Sequence, residues 1–326
     1  MSRPPNNEIS RALMNDSTVK DGWQHPWRGI RGRSTVAWQT ERESVMSANG
    51  RHAPPRQADA VDSRSSVPAR AQFAAPAEHY DRFMGRYAPT LAAELAEVAG
   101  VTPGMRVLDV GCGPGGLTSE LCRRAGADNV AAIDPAQQFV EACAARHPGT
   151  DVREGVAERL PWPDGEFDAT VSSLVIGFMS DPDRGVREMA RVTRPGGTVA
   201  VCMWDTASGG MTMLRIFWNA VRLVEPGAEG ETRLAGTVEG DLTARFERAG
   251  LVRVVGTALI ASAQYKGFED FWEPFTFAVG PAGQYLASLS GDQRAQVREA
   301  CQVQLPDGPF SLRARAWCAC GTVAVR

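Results

Sequence analysis

The chain of 326 residues has only two lysines, Lys20 and Lys266, and four histidines, at positions 25, 52, 79 and 147. Neither lysine follows a tyrosine at the spacing Tyr-x-x-x-Lys, so the proton-transfer pair of one large oxidoreductase class is missing. No window approaches the roughly 18–20 apolar residues that a membrane span needs. The first 30 residues contain no apolar core of a secretory signal. The seven cysteines (112, 122, 143, 202, 301, 318 and 320) are odd in number and scattered, which excludes a disulfide framework and suits a reducing cytoplasm. Cys318-Ala319-Cys320 is the one tight pair. In a strand both thiols would share a face, but without nearby histidines the pair is a poor zinc site, and no metal is expected.

Charge is also scarce in one sense. The formal net charge is −3, and it is unevenly distributed. Residues 1–72 hold 11 basic and 7 acidic residues, while the remainder holds 24 and 31. The larger part is therefore acidic, which disfavours broad contact with nucleic-acid phosphate. Residues 1–72 are rich in Arg, Ser, Pro, Asn and Gln and have little apolar periodicity. Such a segment cannot bury enough apolar surface to offset its ordering entropy, so a disordered N-terminal extension is expected there. A folded unit is expected over 73–326.

What is present begins with a mainly apolar run, Met105 to Val110, that meets a glycine cluster and a helix-like run from Leu117 to Ala125. This is the first strand, turn and helix of a Rossmann-like unit. Gly111, Gly113 and Gly116 satisfy G-x-G-x-x-G, and Asp134 follows 18 residues after the last, so on spacing alone a dinucleotide is allowed. Asp109 argues otherwise. It precedes the first glycine by two residues, where a pyrophosphate would meet a like charge. A cationic ligand such as S-adenosylmethionine, with its sulfonium and ammonium groups, is better matched.

Val107 to Gly115 resembles motif I of the class I S-adenosylmethionine-dependent methyltransferases. Ala131 to Pro135 resembles the family's second strand, Gly155 to Asp168 its adenine loop, and Arg194-Pro195-Gly196-Gly197 the turn before its fifth strand. The four segments stand in family order over roughly residues 78–205. The group most similar is the small-molecule methyltransferases of the ubiquinone/menaquinone-biosynthesis type. The resemblance implies an α/β fold: a doubly wound, seven-stranded Rossmann-like sheet with an antiparallel last strand. Helical lid insertions are expected within 205–310.

The resemblance also implies the cofactor S-adenosylmethionine and roles for residues. Asp109 would orient the sulfonium and ammonium end. Gly111, Cys112 and Gly113 would offer backbone to the methionyl group and ribose, and Asp134 would accept the ribose hydroxyls. Val156 and Ala157 would flank adenine, and Ser173 would face the sulfur. Tyr80 and Arg86, in the entry segment, would cover the methionyl end. Many relatives read Gly-Asp-Ala where this chain reads Gly155-Val156-Ala157. Val156 cannot accept the adenine amino hydrogen, a difference worth about 0.5–1.5 kcal/mol, unless Glu158 substitutes. No catalytic base stands out. His79 is the one histidine near the expected site, and Asp270 and Glu273 are further candidates. The aromatic residues Phe217, Trp218, Phe268, Phe271, Trp272, Phe275, Phe277 and Tyr285 read mainly as lid core. Trp272, Phe275 and Phe277 are expected to roof an apolar substrate pocket.

Three functions compete. The first is methyl transfer to O, N or C of a small, apolar or aromatic metabolite. The second is a non-catalytic descendant that still binds S-adenosylmethionine, which turnover with any acceptor would exclude. The third is a NAD(P)-binding oxidoreductase. The expected partner is a small molecule, with no nucleic acid and no membrane span. The oligomeric state cannot be read from the sequence.

Overall fold

The computed structural model describes residue 73 and residues 75–325. The expectation for residues 1–72 lies outside the described residues.

Two helices, α1 (Ala77–Phe83) and α2 (Ala88–Val98), precede the sheet. The alternation that follows is β1 (Val107–Val110), α3 (Gly116–Ala125), β2 (Val130–Asp134), α4 (Gln137–Arg146), β3 (Asp151–Glu154) and β4 (Phe167–Ser173). Then come α5 (Pro182–Val192), β5 (Thr193–Trp204), α6 (Thr212–Val224), α7 (Asp241–Arg248) and β6 (Val252–Tyr265). Helices α8 (Phe268–Trp272), α9 (Gly280–Ser288) and α10 (Gly291–Gln302) lead to β7 (Phe310–Thr322). The strands form one seven-stranded sheet in the order β3-β2-β1-β4-β5-β7-β6. The β1–β5 pairs are parallel, while β7 inserts antiparallel between β5 and β6. This is the expected Rossmann-like architecture.

The parallel strands are covered by helices on both faces, which is why Val-Leu-Asp-Val and Val-Ala-Ala-Ile-Asp read as unbroken rather than alternating runs. Successive residues still serve opposite layers. Val107, Ala200, Cys202 and Trp204 join one core, with α2, α3 and α6. Leu108, Val110, Val199, Val201 and Met203 join the other, with α5 and α7. Cys318 and Cys320 lie on one face, with Ala319 on the opposite one, as a strand requires.

Helix α5 begins where the sequence signals it. Asp181 caps it by accepting the Arg184 N–H at 2.9 Å, with Pro182 in the first turn. Helix α10 carries a full capping box between Ser290 and Gln293. The Arg194-Pro195-Gly196-Gly197 segment differs from expectation. It is an irregular start to β5, exposed at Arg194, Pro195 and Gly196 and buried at Gly197, rather than a turn before it. The Gly196 N–H donates to Val323 O at 2.8 Å, so the distant end of the chain recruits it into the sheet.

Candidate active site

The parallel strands end on one side in the glycine turn, Asp134 and Ser173. These border a cavity of about 660 Å³. Ligands of open α/β sheets bind at this end.

Gly111 has φ of +76°, and a Cβ there would lie 2.3 Å from Val175 Cγ2. Only glycine permits both the left-handed backbone and the approach of the segment after β4. That segment has its own strain, because Leu174 takes φ of +64°. A bulky residue in this region costs about 1–3 kcal/mol. Leu174 is held by its N–H donating to Cys202 O at 2.9 Å, and it lines the cavity.

The N–H groups of Gly111, Cys112, Gly113 and Gly115 are engaged within the protein. The N–H groups of Gly111 and Cys112 both donate to Ile133 O, at 2.8 and 3.0 Å. The Gly113 N–H donates to Asp134 Oδ2 at 2.9 Å, and the Ala136 N–H donates to Asp134 Oδ1 at the same distance. Each Asp134 oxygen thus keeps a lone pair for a ligand hydroxyl. Burial pushes the Asp134 carboxyl up to about 6, and the two amide donors oppose that shift.

Asp109 is fully buried in the central strand, with Ala132 and Val171 as its register neighbours. The Thr118 hydroxyl donates to its Oδ2 at 2.7 Å. Its Oδ1 is buried without a hydrogen-bond partner among the described residues. Burial pushes this carboxyl up to about 7, the Thr118 hydroxyl opposes the rise and the charge of Asp134 adds to it. Asp109 does not line the cavity. It stands behind the glycine turn, separated from the cavity by Gly111–Gly113.

Of the residues expected at the site, Tyr80, Gly111, Cys112, Gly113, Asp134, Val156, Ala157 and Ser173 all line this one cavity. Tyr80 packs edge-on to Phe73 and Phe139. Burial, with Asp134 and Asp81 nearby, raises its hydroxyl pKa, so the group stays protonated. Val156 is 44% exposed, whereas Ala157 is buried. Glu158 also lines the cavity, but its Oε1 accepts from the Ser180 N–H, the Ser180 hydroxyl and the Asp181 N–H. It fastens the wall between β4 and α5.

Three expectations are corrected. Arg86 is turned away from the cavity. It reaches the Asp270 carboxylate and the carbonyls of Arg82 and Gln264, and it stacks over Tyr265. Those acceptors and that ring form a better-matched site than an apolar cleft. His79 lies against Phe277, with ring centroids 4.3 Å apart, and does not line the cavity. Asp270 pairs with Arg86, and Glu273 with Arg82. The lid aromatics form a core layer: Phe217 stacks on Phe275 at 4.5 Å, and Phe275 meets Phe271 and Trp272. From residues 205–310 only Leu234 reaches the cavity. The apolar wall comes instead from Phe73, Met84, Leu174, Phe178 and Met179. The apolar run Leu174 to Met179 beyond β4 was the sequence signal for part of it.

Comparison with known proteins follows the same lines. Residues 108–201 match the family model described as methyltransferase domain. A malonyl-[acyl-carrier protein] O-methyltransferase from Erwinia billingiae is 34% identical over 134 residues, covering 41% of this chain and 51% of that one. A demethylmenaquinone methyltransferase from Mycolicibacterium paratuberculosis is 39% identical over 112 residues, covering 34% and 47%. The chain thus spans about half the length of these curated relatives. A solved structure from Anabaena variabilis, described as a methyltransferase from an antibiotic biosynthesis pathway, has a TM-score of 0.51 at 17% identity, covering 71% of this chain and 98% of that one. That likeness concerns the fold. The matched residues 108–201 contain three of the four motifs and the strands from β1 to most of β5.

Proposed function

We propose that the protein is an S-adenosylmethionine-dependent methyltransferase acting on O, N or C of a small apolar or aromatic metabolite. The observation that carries this reading is the polarity of the glycine turn. The N–H groups of Gly111, Cys112 and Gly113 are all engaged by Ile133 and Asp134. A pyrophosphate needs free N–H donors at such a turn. Here two acids stand instead, Asp134 at the cavity and Asp109 behind the turn, whose Oδ1 has no partner among the described residues, and a pyrophosphate would meet like charge there. That arrangement fits a ligand bearing positive charge.

The cofactor, when bound, supplies an activated methyl group on a sulfonium. The protein's part is to bind, orient and exclude water. Asp134 would hold the ribose hydroxyls with its remaining lone pairs. Val156 and Ala157 would flank the base. Asp109 would hold the cationic end through its field across the turn. Tyr80, as a neutral hydroxyl, would donate a hydrogen bond at the methionyl end and close the cavity with Phe73. Ser173 and Leu174, at the end of β4, would set the wall against which the acceptor lies.

Calorimetric titration of the full chain with S-adenosylmethionine and, separately, with NADH tests the reading. Micromolar binding of the first, sharply weakened in Asp134→Ala, with none of the second, is expected. Binding of NADH alone would return the turn to the dinucleotide class. Binding of neither to folded protein would refute the cofactor assignment.

A further inference from the structure

The ionisable side chains around the cavity are of one sign. Asp81, Asp134, Glu154 and Glu158 line it, and among the described residues no lysine, arginine or histidine does. This is not for want of basic residues nearby. Helix α1 carries Tyr80 and Asp81 into the wall, and Met84 follows at its end, yet its Arg82 is turned to Glu273. The adjacent Arg86 is turned to Asp270. Arg153, next to Glu154, pairs with Asp151 and lies over Trp162.

The carboxylates differ in how they are held. Asp81 is matched by Arg146, which donates to it at 2.6 Å and also to Pro114 O. Asp134 and Glu158 are held by neutral donors. Two amides hold Asp134, and two amides and a hydroxyl hold Glu158. Neutral donors satisfy the oxygens but leave the charge, so its field reaches into a cleft with apolar walls of low dielectric.

We propose that the methyl acceptor is an apolar amine and that carboxylate or phosphate acceptors are rejected. The inference rests on the methyltransferase reading above and deepens it. Phe178, Met179, Leu174 and Leu234 take the apolar body. The Glu158 side, with no compensating cation among the described residues, favours the amine end and repels an anion.

The test uses the full chain saturated with S-adenosylhomocysteine and three probes of one skeleton: 2-phenylethylamine, 2-phenylethanol and phenylacetate. Affinity is read by calorimetry or ligand-observed NMR. The expected order is amine, then alcohol, then carboxylate, with about tenfold or more between the extremes. Glu158→Gln keeps the accepting oxygen for Ser180 and Asp181 and removes the charge. It should cut the ratio of amine to carboxylate affinity by about threefold. A carboxylate that binds as well as the alcohol, or no binding of any probe, would overturn the proposal. An unchanged ratio in Glu158→Gln would overturn the part given to Glu158. Failure to bind S-adenosylhomocysteine would instead bring down the methyltransferase reading itself.

Discussion

Asp109→Asn should make the protein more stable at neutral and alkaline pH while weakening its hold on a cationic ligand. Asp109 is fully buried, one of its oxygens has no partner among the described residues, and its carboxyl is pushed up to about 7 from 3.8. In the unfolded chain this group ionises near 3.8, and in the folded chain near 7. Between those values the unfolded state releases a proton that the folded state keeps, so stability falls as pH rises. At about 1.4 kcal/mol per pH unit, the full interval amounts to about 4 kcal/mol. The asparagine abolishes this slope. Its oxygen can still accept from Thr118, but its amide places two donors where no acceptor stands, which costs about 1–3 kcal/mol. The net gain at pH 8 is then about 1–3 kcal/mol. That gain should largely vanish at pH 5, where wild-type Asp109 still holds its proton. The difference between variant and wild type should therefore change by about 2–3 kcal/mol from pH 5 to pH 8, whatever the amide costs. Urea unfolding at the two pH values, with S-adenosylmethionine titrated in parallel, measures both effects. A difference that does not change with pH would refute the burial argument. Unchanged affinity would refute the electrostatic role of Asp109.

Other substitutions separate the site from its support. Gly111→Ala should destabilise by about 1–3 kcal/mol and weaken cofactor binding, since the new Cβ at φ +76° would meet Val175 at 2.3 Å; thermal melts with and without S-adenosylmethionine would show a smaller ligand-induced shift. Phe275→Ala, in the stacked aromatic layer outside the cavity, should cost about 3–5 kcal/mol in urea unfolding yet leave cofactor affinity within about twofold under native conditions. Arg315→Met removes two charge-assisted hydrogen bonds, at 2.8 and 2.6 Å, from the fully buried Asp205. Ser208 still donates to that carboxylate, so a loss of about 2–3 kcal/mol is expected in denaturant titration. Glu158→Ala should loosen the 178–181 wall; faster amide exchange at Ser180 and Asp181 would report it, and unchanged exchange would show that the three hydrogen bonds do not hold the segment.

Much of this molecule is a local matter and was legible in the chain. The βα alternation, the continuous apolar runs of β1 and β2, the Asp181-Pro182 start of α5 and the glycine turn all depend on residues within a few positions of each other. Backbone geometry, capping and burial on both faces leave few other solutions for them. The set Gly111, Gly113, Asp134, Ala157 and Ser173 was accordingly readable, because each marks the carboxyl end of a strand or the loop beyond it.

What tertiary structure alone decided is which way long side chains turn and what closes the cavity. Arg86 and Tyr80 are six residues apart, yet the arginine leaves the cavity for Asp270 and Gln264, more than 170 residues away in the chain. Of the aromatic residues of 205–310, which read mainly as lid core, Trp272, Phe275 and Phe277 were expected to roof the cavity, and none of the three lines it. Trp272 and Phe275 pack with Phe217 and Phe271 instead, and Phe277 lies against His79 and Arg82, because rings gain more from mutual packing than from an open cleft. The uniform sign of the cavity was likewise hidden. Arginines and carboxylates are interleaved along α1 and β3, and only the distant partners Glu273, Asp270 and Arg146 determine which charges are cancelled and which face inward.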